Sequence, residues 1–520
     1  MTGVKRARPT LAKIVATVGP ASQTPDMIER LINSGVSVFR LNFSHGGPED
    51  HAARLRTIRE VAARLGQPIA VLGDLPGPKI RVGVLPDAGV ELAPGDEVLI
   101  SARFDPEQKD SAGKSVVRLT TEYPELSEDV QPGHRVLIND GAVRLLAVEP
   151  EVGDRRGELR CRVLVGGTVT SRKGINLPDS GVRARAITER DWEWVAWSVA
   201  QGVDLLALSF VRTAGEVREL KEALATMCPA ELRAKHPDHP CPGVEAMIPV
   251  IAKIEKPQAL DVIDEILEVA DGVMVARGDL GVEMDLAAVP VVQKRLISKC
   301  DDWGKPCIVA TQMLESMIQN ATPTRAEASD VANGVLDGAD AVMLSGETAV
   351  GRHPALVVDT MRRIVEETEK LMAEQHKQPS PAAHLLKSRY RTAALAHGAW
   401  HISRDIGAVM IVCWSQEGGT ARYLSQTGVQ LPIVAYSSSP RHVRRMALLR
   451  GVTPRLMSVP RTGTLAEWNA MLEKDLLDLG WVCPGEAVVL LAGKPLGIQG
   501  STNAVAVHTI GSTTSGFMRV

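Results

Sequence analysis

The chain has 520 residues, enough for three or four domains at roughly 150 residues each. Hydrophobic residues make up 44% but aromatics only 3%, so the cores must be built from Val, Leu, Ile and Ala. A net charge of -3 sets up no global field toward nucleic acid or a membrane surface. The first twenty residues begin basic and turn apolar, but Lys13 interrupts the apolar part and Gly19-Pro20 ends it. They read as a first strand rather than a signal peptide. No apolar run is long enough to span a bilayer. Seven scattered cysteines, an odd number without a repeating framework, point to free thiols in a reducing compartment and hence to a cytoplasmic protein.

Short, nearly continuous apolar runs recur at 13–18, 36–44, 68–74, 204–210, 248–254, 272–276, 306–311 and 341–345, separated by helical patterns. Strands apolar on both faces with intervening helices predict a parallel sheet, and eight of them predict a (β/α)8 barrel with its active site at the C-terminal strand ends. The alternation breaks once. From 79 to 176 the pattern is β-only, with Pro-Gly and Asn-Asp-Gly turns, which predicts an inserted small β-barrel domain placed as a lid. The barrel then comprises 1–78 and 177–356, resuming at a helix start with Thr188 and Asp191 in capping-box spacing. A loop at 228–244 holds Cys228, His236, His239 and Cys241; their irregular spacing and the three prolines between the first and last of them favour a plain surface loop over a zinc site. Alternating β and α patterns return within 357–520, predicting a separate doubly wound α/β domain. Its loop at Ser415, Gly419 and Thr420 precedes a helix, and reads equally as a phosphate site or as a simple turn. The basic run Arg441, His442, Arg444, Arg445 reads first as a solvated helix face and second as an anion site.

Polar residues gather where the barrel strands should end. Arg40, Asn42 and Ser44 alternate at the end of the second run, Asp74 ends the third, and Ser209 nearly ends the fourth. Lys253 and Glu255, two apart, share one face at the fifth, and Asp279 follows the sixth. Thr311 ends the seventh, and Ser345 and Glu347 follow the eighth. A buried Lys beside two carboxylates suits a divalent cation such as Mg2+ handling a phosphorylated substrate. A structural ion pair is the alternative. Arg277-Gly278-Asp279 matches an adhesion tripeptide, which its strand-end setting makes a coincidence.

The stretches KIVATVGPAS, FRLNFSHG, GDLPGPKIR, SRKGINLPD, VIAKIEKPQA, MVARGDLGVE, VATQMLESM, PTRAEASDVANGVLDGADAVMLSGETA and GSTNAVAVH together resemble the pyruvate kinase family over nearly the full length. The resemblance implies phosphoryl transfer from phosphoenolpyruvate to ADP, giving pyruvate and ATP. It also implies Mg2+ or Mn2+ on Glu255 and Asp279, and Lys253 stabilising the transition state. Arg40 would bind phosphate, and Thr311 with the Gly278 backbone would hold the carboxylate side, Thr311 lying near the protonation step. Ser209 would lie in the same cleft, and Asn42, His45, Arg81 and Lys173 would serve the nucleotide. The resemblance further implies a homotetramer and allosteric control through the C-terminal domain, where Ser415, Gly419 and Thr420 would meet a phosphorylated effector. Which effector stays open, since Glu417 is unfavourable beside a dianion.

One departure bears on cofactors. Many members of the family bind K+ through the positions of Asn42, Ser44, Asp74 and the next residue, with Thr after the Asp and a Glu in the GP-x-IR motif. Here those two positions are Leu75 and Lys79. Leu75 removes an oxygen ligand and Lys79 brings a fixed ammonium in place of the ion, so activity without K+ is expected.

Overall fold

The computed structural model describes residues 10–102, 116–150, 157–183, 185–227, 247–374, 382–387, 390–498 and 500–517. The Cys228, His236, His239 and Cys241 loop lies outside them. The eight apolar runs form a closed parallel barrel. Its strands are β1 (Lys13–Thr17), β2 (Val36–Asn42), β3 (Ala70–Asp74), β4 (Leu205–Leu208), β5 (Val250–Ile254), β6 (Gly272–Ala276), β7 (Cys307–Ala310) and β8 (Ala341–Leu344). Each strand pairs with its chain neighbour, and β1 closes on β8.

The strands are buried on both faces because alternate residues feed two cores. Val15, Leu72, Ala207, Ile251, Met274 and Ile308 fill the barrel interior. Ile14, Phe39, Val71, Leu206, Ala252 and Val273 face the helices. At Gly73 in β3 a Cβ would stand 2.8 Å from the Phe43 ring, so only glycine admits that ring. Phe43 in turn stacks on Trp194 at 4.3 Å.

The insertion leaves and re-enters the barrel at one anchor. Thr188 and Asp191 form the expected capping box on helix Glu189–Gln201. The buried Asp191 also accepts the Gly77 N–H at 3.0 Å, tying exit to return. Between them, the described strands form a six-stranded sheet and a two-stranded ribbon. Val98, Ile100, Val136, Leu145 and Cys161 lie in the insertion's own core.

The C-terminal part is a five-stranded sheet in the spatial order Val452–Leu456, Ile433–Ser437, Met410–Trp414, Ala487–Gly493, Thr502–Thr509. The first four run parallel and the edge strand antiparallel. Apolar clusters cover both of its faces, as a doubly wound sheet requires.

This domain grips the N-terminal end of the barrel. Asp204, fully buried just before β4, accepts Nη2 of Arg59 at 2.6 Å and Nε of Arg444 at 2.9 Å, along with the Val71 N–H. Nε of Arg445 donates to the Asp204 carbonyl. Arg444 and Arg445 are therefore docking groups, which corrects the reading of their run as a solvated helix face. A second contact joins Gln426 Nε2 to Asp340 Oδ1 at 2.8 Å.

Burial pushes the Asp340 carboxyl up to about 6, against hydrogen bonds from the Cys307 N–H and Gln426. The folded chain keeps a proton there that the unfolded chain has released. Stability from this group is thus fully present below the ordinary value of 3.8 and is lost as pH rises through about 6. The urea midpoint of the wild type is expected to fall relative to that of Asp340→Asn across this window. A difference that stays constant with pH would count against this carboxyl.

Candidate active site

The C-terminal ends of the barrel strands bring most of the expected polar groups onto one rim. Lys253 closes β5 from the inside and is 9% exposed. Its ammonium lies 3.1 Å from Asp74 Oδ1 and 2.9 Å from Glu255 Oε1, and donates to Ser209 Oγ at 2.7 Å. Ser209 in turn donates its hydroxyl hydrogen bond to the Leu75 carbonyl at 2.6 Å. Asp74 is shared. Its second oxygen accepts Nε of Arg40 at 2.5 Å, while Arg40 Nη1 reaches Thr17 Oγ1 at 3.1 Å.

The electrostatics follow from this arrangement. Burial works against the Asp74 carboxylate, but Arg40 and Lys253 overcome it and hold its pKa below the ordinary value. Burial likewise opposes charge on Lys253, yet Asp74 and then Glu255 hold its pKa above the usual lysine value. It is a fixed cation. Glu255 moves the other way. Burial raises it, Lys253 opposes, and the charge of Asp279 adds to the rise. Two carboxylates that repel each other across a buried site are the donor set a hard divalent cation relieves. Glu255 Oε2 also accepts the Phe210 N–H at 2.7 Å, whereas Asp279 has no hydrogen bond or ion pair among the described residues. No third His, Cys, Asp or Glu joins them among the described residues, so a metal held there would draw its remaining ligands from substrate and water.

Across the rim, Thr311 and Gln312 have φ of 69° and 55°, values L-residues rarely adopt. Arg277 pins this bend. Its guanidinium donates to the Thr311 carbonyl at 2.7 Å and pairs with Asp330 at 2.6 Å. Thr311 Oγ1 accepts the Gly278 N–H at 2.7 Å. Motif reading missed Arg277 as a site-building residue. The available signal was a charged group directly after the apolar β6. It also missed Glu283, whose buried carboxylate accepts Lys256 Nζ at 2.6 Å and the insertion's Asn176 Nδ2 at 2.8 Å, clamping the insertion to the rim.

Other expected groups stand farther out. The Asn42 side chain turns back to accept the Ser44 N–H at 3.2 Å. His45 is exposed. Arg81 donates to the Arg172 carbonyl at 2.9 Å, and Lys173 is half-buried beside it at the base of the insertion. Leu75 is buried and contributes only its backbone. Lys79 is exposed, lies against Gly174 of the insertion, and makes no ion pair among the described residues. The cations in contact with Asp74 are Arg40 and Lys253. Ser415, Gly419 and Thr420 line a separate cavity of about 290 Å³ between the C-terminal domain and the barrel. There Ser415 Oγ accepts the Ala421 N–H and Thr420 meets the Thr502 hydroxyl. Ser345 Oγ is buried without a partner, and Glu347 caps the Ser345 and Leu314 N–H groups.

The sequence matches a known family. A family model described as "Pyruvate kinase, barrel domain" matches residues 10–358, and one described as "Pyruvate kinase, alpha/beta domain" matches 393–508. The chain belongs to the pyruvate kinase family. It is 40% identical to the pyruvate kinase of Mycobacterium tuberculosis over 499 residues, covering 96% of this chain and 98% of the relative. The pyruvate kinase of Mycobacterium intracellulare is also 40% identical, with the same coverage. That of Geobacillus stearothermophilus is 39% identical over 96% of this chain and 80% of its own length. Barrel and C-terminal α/β domain thus belong to an enzyme of this family. No helix among the described residues is long and apolar enough to cross a membrane.

Proposed function

We propose that this chain is a cytoplasmic enzyme that transfers the phosphoryl group of phosphoenolpyruvate to ADP, with Mg2+ or Mn2+ held by Glu255 and Asp279. The observation that carries the reading is Lys253, a buried ammonium fixed between Asp74 and Glu255 at the barrel rim. The bond between phosphorus and the enol oxygen breaks, and a terminal ADP oxygen takes the phosphorus. The enolate leaves and is protonated at carbon to give pyruvate. Lys253 meets the charge that spreads over the transferring group and the departing oxygen. The divalent ion, when bound, supplies Lewis-acid neutralisation of phosphoryl oxygens.

Arg40 spends Nε and one Nη on Asp74 and Thr17, leaving its other N–H groups for phosphate. The substrate carboxylate takes the Gly278 N–H that Thr311 now occupies, which requires the Thr311 hydroxyl to turn away toward the reacting carbon. Ser209 holds Lys253 in place. Arg81 and Lys173, with Asn42 and His45, receive the nucleotide phosphates as the insertion (79–176) closes over the barrel (1–78 and 177–356). The C-terminal domain (357–520) serves regulation in a homotetramer. A phosphorylated effector enters the cavity by Ser415, Gly419 and Thr420, where Arg422 and Arg445 supply positive charge.

A lactate dehydrogenase-coupled assay with phosphoenolpyruvate, ADP and Mg2+ tests this. Pyruvate formation well above background is expected, and its absence would remove the reading in favour of a non-catalytic relative. K+ provides a finer test. With Leu75 buried and no side-chain oxygen at that position, rates at constant ionic strength are expected to change by less than about twofold when K+ replaces tetramethylammonium. Leu75→Thr combined with Lys79→Glu is expected to create a K+ requirement. A strict requirement in the unmodified chain would overturn the K+-independent assignment while leaving the kinase reading intact.

A further inference from the structure

Helix Arg391–Asp405 of the C-terminal domain carries His397 and His401 four residues apart, a spacing that puts both on one face. Their Nε2 atoms lie 3.1 Å apart, with the rings at 82° and their centroids 4.4 Å apart. In the absence of any other atom, one ring must donate a proton to the other. The same spacing also suits a shared metal ion. Two metal–nitrogen bonds of about 2.05 Å place the nitrogens about 2.9 Å apart at a right angle and about 3.3 Å apart at the tetrahedral angle. The observed separation falls between these limits.

We propose that His397 and His401 form a bidentate site for a borderline transition-metal cation of the Ni2+, Cu2+ or Zn2+ class, remote from the Glu255 and Asp279 pair and different in chemistry. Imidazole nitrogens select such ions, whereas paired carboxylates favour Mg2+. The helix is a rigid platform, because Ala396, Ala399 and Trp400 bury its other face against the sheet. Both histidines are only half-buried, so water can fill the remaining coordination positions. Burial and the neighbouring His401 hold the His397 pKa below the ordinary imidazole value, which keeps its lone pair free of proton competition near neutrality. Nδ1 of His397 is buried without a partner among the described residues, and no outer group there reinforces this ligand. Binding is accordingly expected in roughly the micromolar range rather than tighter.

The test uses the full, untagged chain with saturating Mg2+ to occupy hard-ion sites, titrated calorimetrically with Ni2+. One Ni2+ per chain is expected. His397→Gln and His401→Gln should each weaken it at least about tenfold, while leaving the metal-free thermal midpoint and the kinase rate unchanged. A second measurement needs no variant. Ni2+ should raise the thermal midpoint of the wild type in saturating Mg2+, and a chelator should reverse the rise. Absence of Ni2+ binding, full binding retained in both variants, or a thermal midpoint that Ni2+ leaves unshifted would each overturn the proposal.

Discussion

Lys253→Met is expected to lower the maximal rate of pyruvate formation by about a thousandfold or more, with the Michaelis constant for phosphoenolpyruvate moving far less. The reason lies in what the substitution removes and what it spares. Methionine fills nearly the same space, so β5 and the barrel interior stay packed. Asp74 keeps Arg40 at 2.5 Å, and so remains a paired, buried carboxylate. Arg40 continues to offer its remaining N–H groups to phosphate, which preserves ground-state binding. What disappears is the cation that meets charge developing between enol oxygen and phosphorus, an interaction strongest in the transition state. Glu255 is also left with only the Phe210 N–H, and its pKa, already raised, should rise further. The residual activity should therefore show a steeper fall toward acid pH than the wild type. Steady-state coupled assays from acid to neutral pH read both effects. A rate within tenfold of the wild type would remove Lys253 from the chemistry.

The second large effect concerns stability. Asp204→Ala should destabilise the docked arrangement by about 3 kcal/mol, because it leaves Arg59, Arg444 and the Val71 N–H without their buried acceptor. Both arginine side chains are about a quarter exposed, which places the expectation at the low end for a broken buried pair. Chemical unfolding monitored by several tryptophans should lose cooperativity, with the C-terminal domain melting first. The rim lies at the opposite end of the strands, so kinetic constants measured well below the transition should stay near wild type. A single cooperative transition with an unshifted midpoint would show that the cluster contributes nothing to docking.

How far the sequence reached can be judged residue by residue. The barrel was legible because every strand is buried on both faces, which writes eight nearly continuous apolar runs into the chain. Lys253, Glu255 and Asp74 were legible because charge at the end of such a run is costly unless it has a use. The geometry of Thr311 was not. Its positive φ and that of Gln312 depend on Arg277 and Asp330, a pair separated by 53 residues, and local pattern carries no trace of it. Arg444 and Arg445 failed for the same reason, since their partner Asp204 lies 240 residues away and a run of arginines reads as solvated in isolation. Motif spacing placed Lys79 beside the rim, but only coordinates reveal that its side chain rests on the insertion.

The sharing of Asp74 between Arg40 and Lys253 has a further consequence. With Glu255 included, the resting pocket contains two fixed positive and two fixed negative groups within one hydrogen-bonded set. That set is close to electroneutral before anything binds and the neighbouring Asp279 adds a further negative charge, so the rim exerts little pull on chloride or free phosphate drifting past. Because Arg40 and Lys253 are already paired with Asp74, a phosphorylated substrate would have to bring a counter-ion of its own. On the proposed function, a preference for a metal-escorted phosphoester over bare anions would follow from this balance of charges, ahead of any shape the pocket imposes.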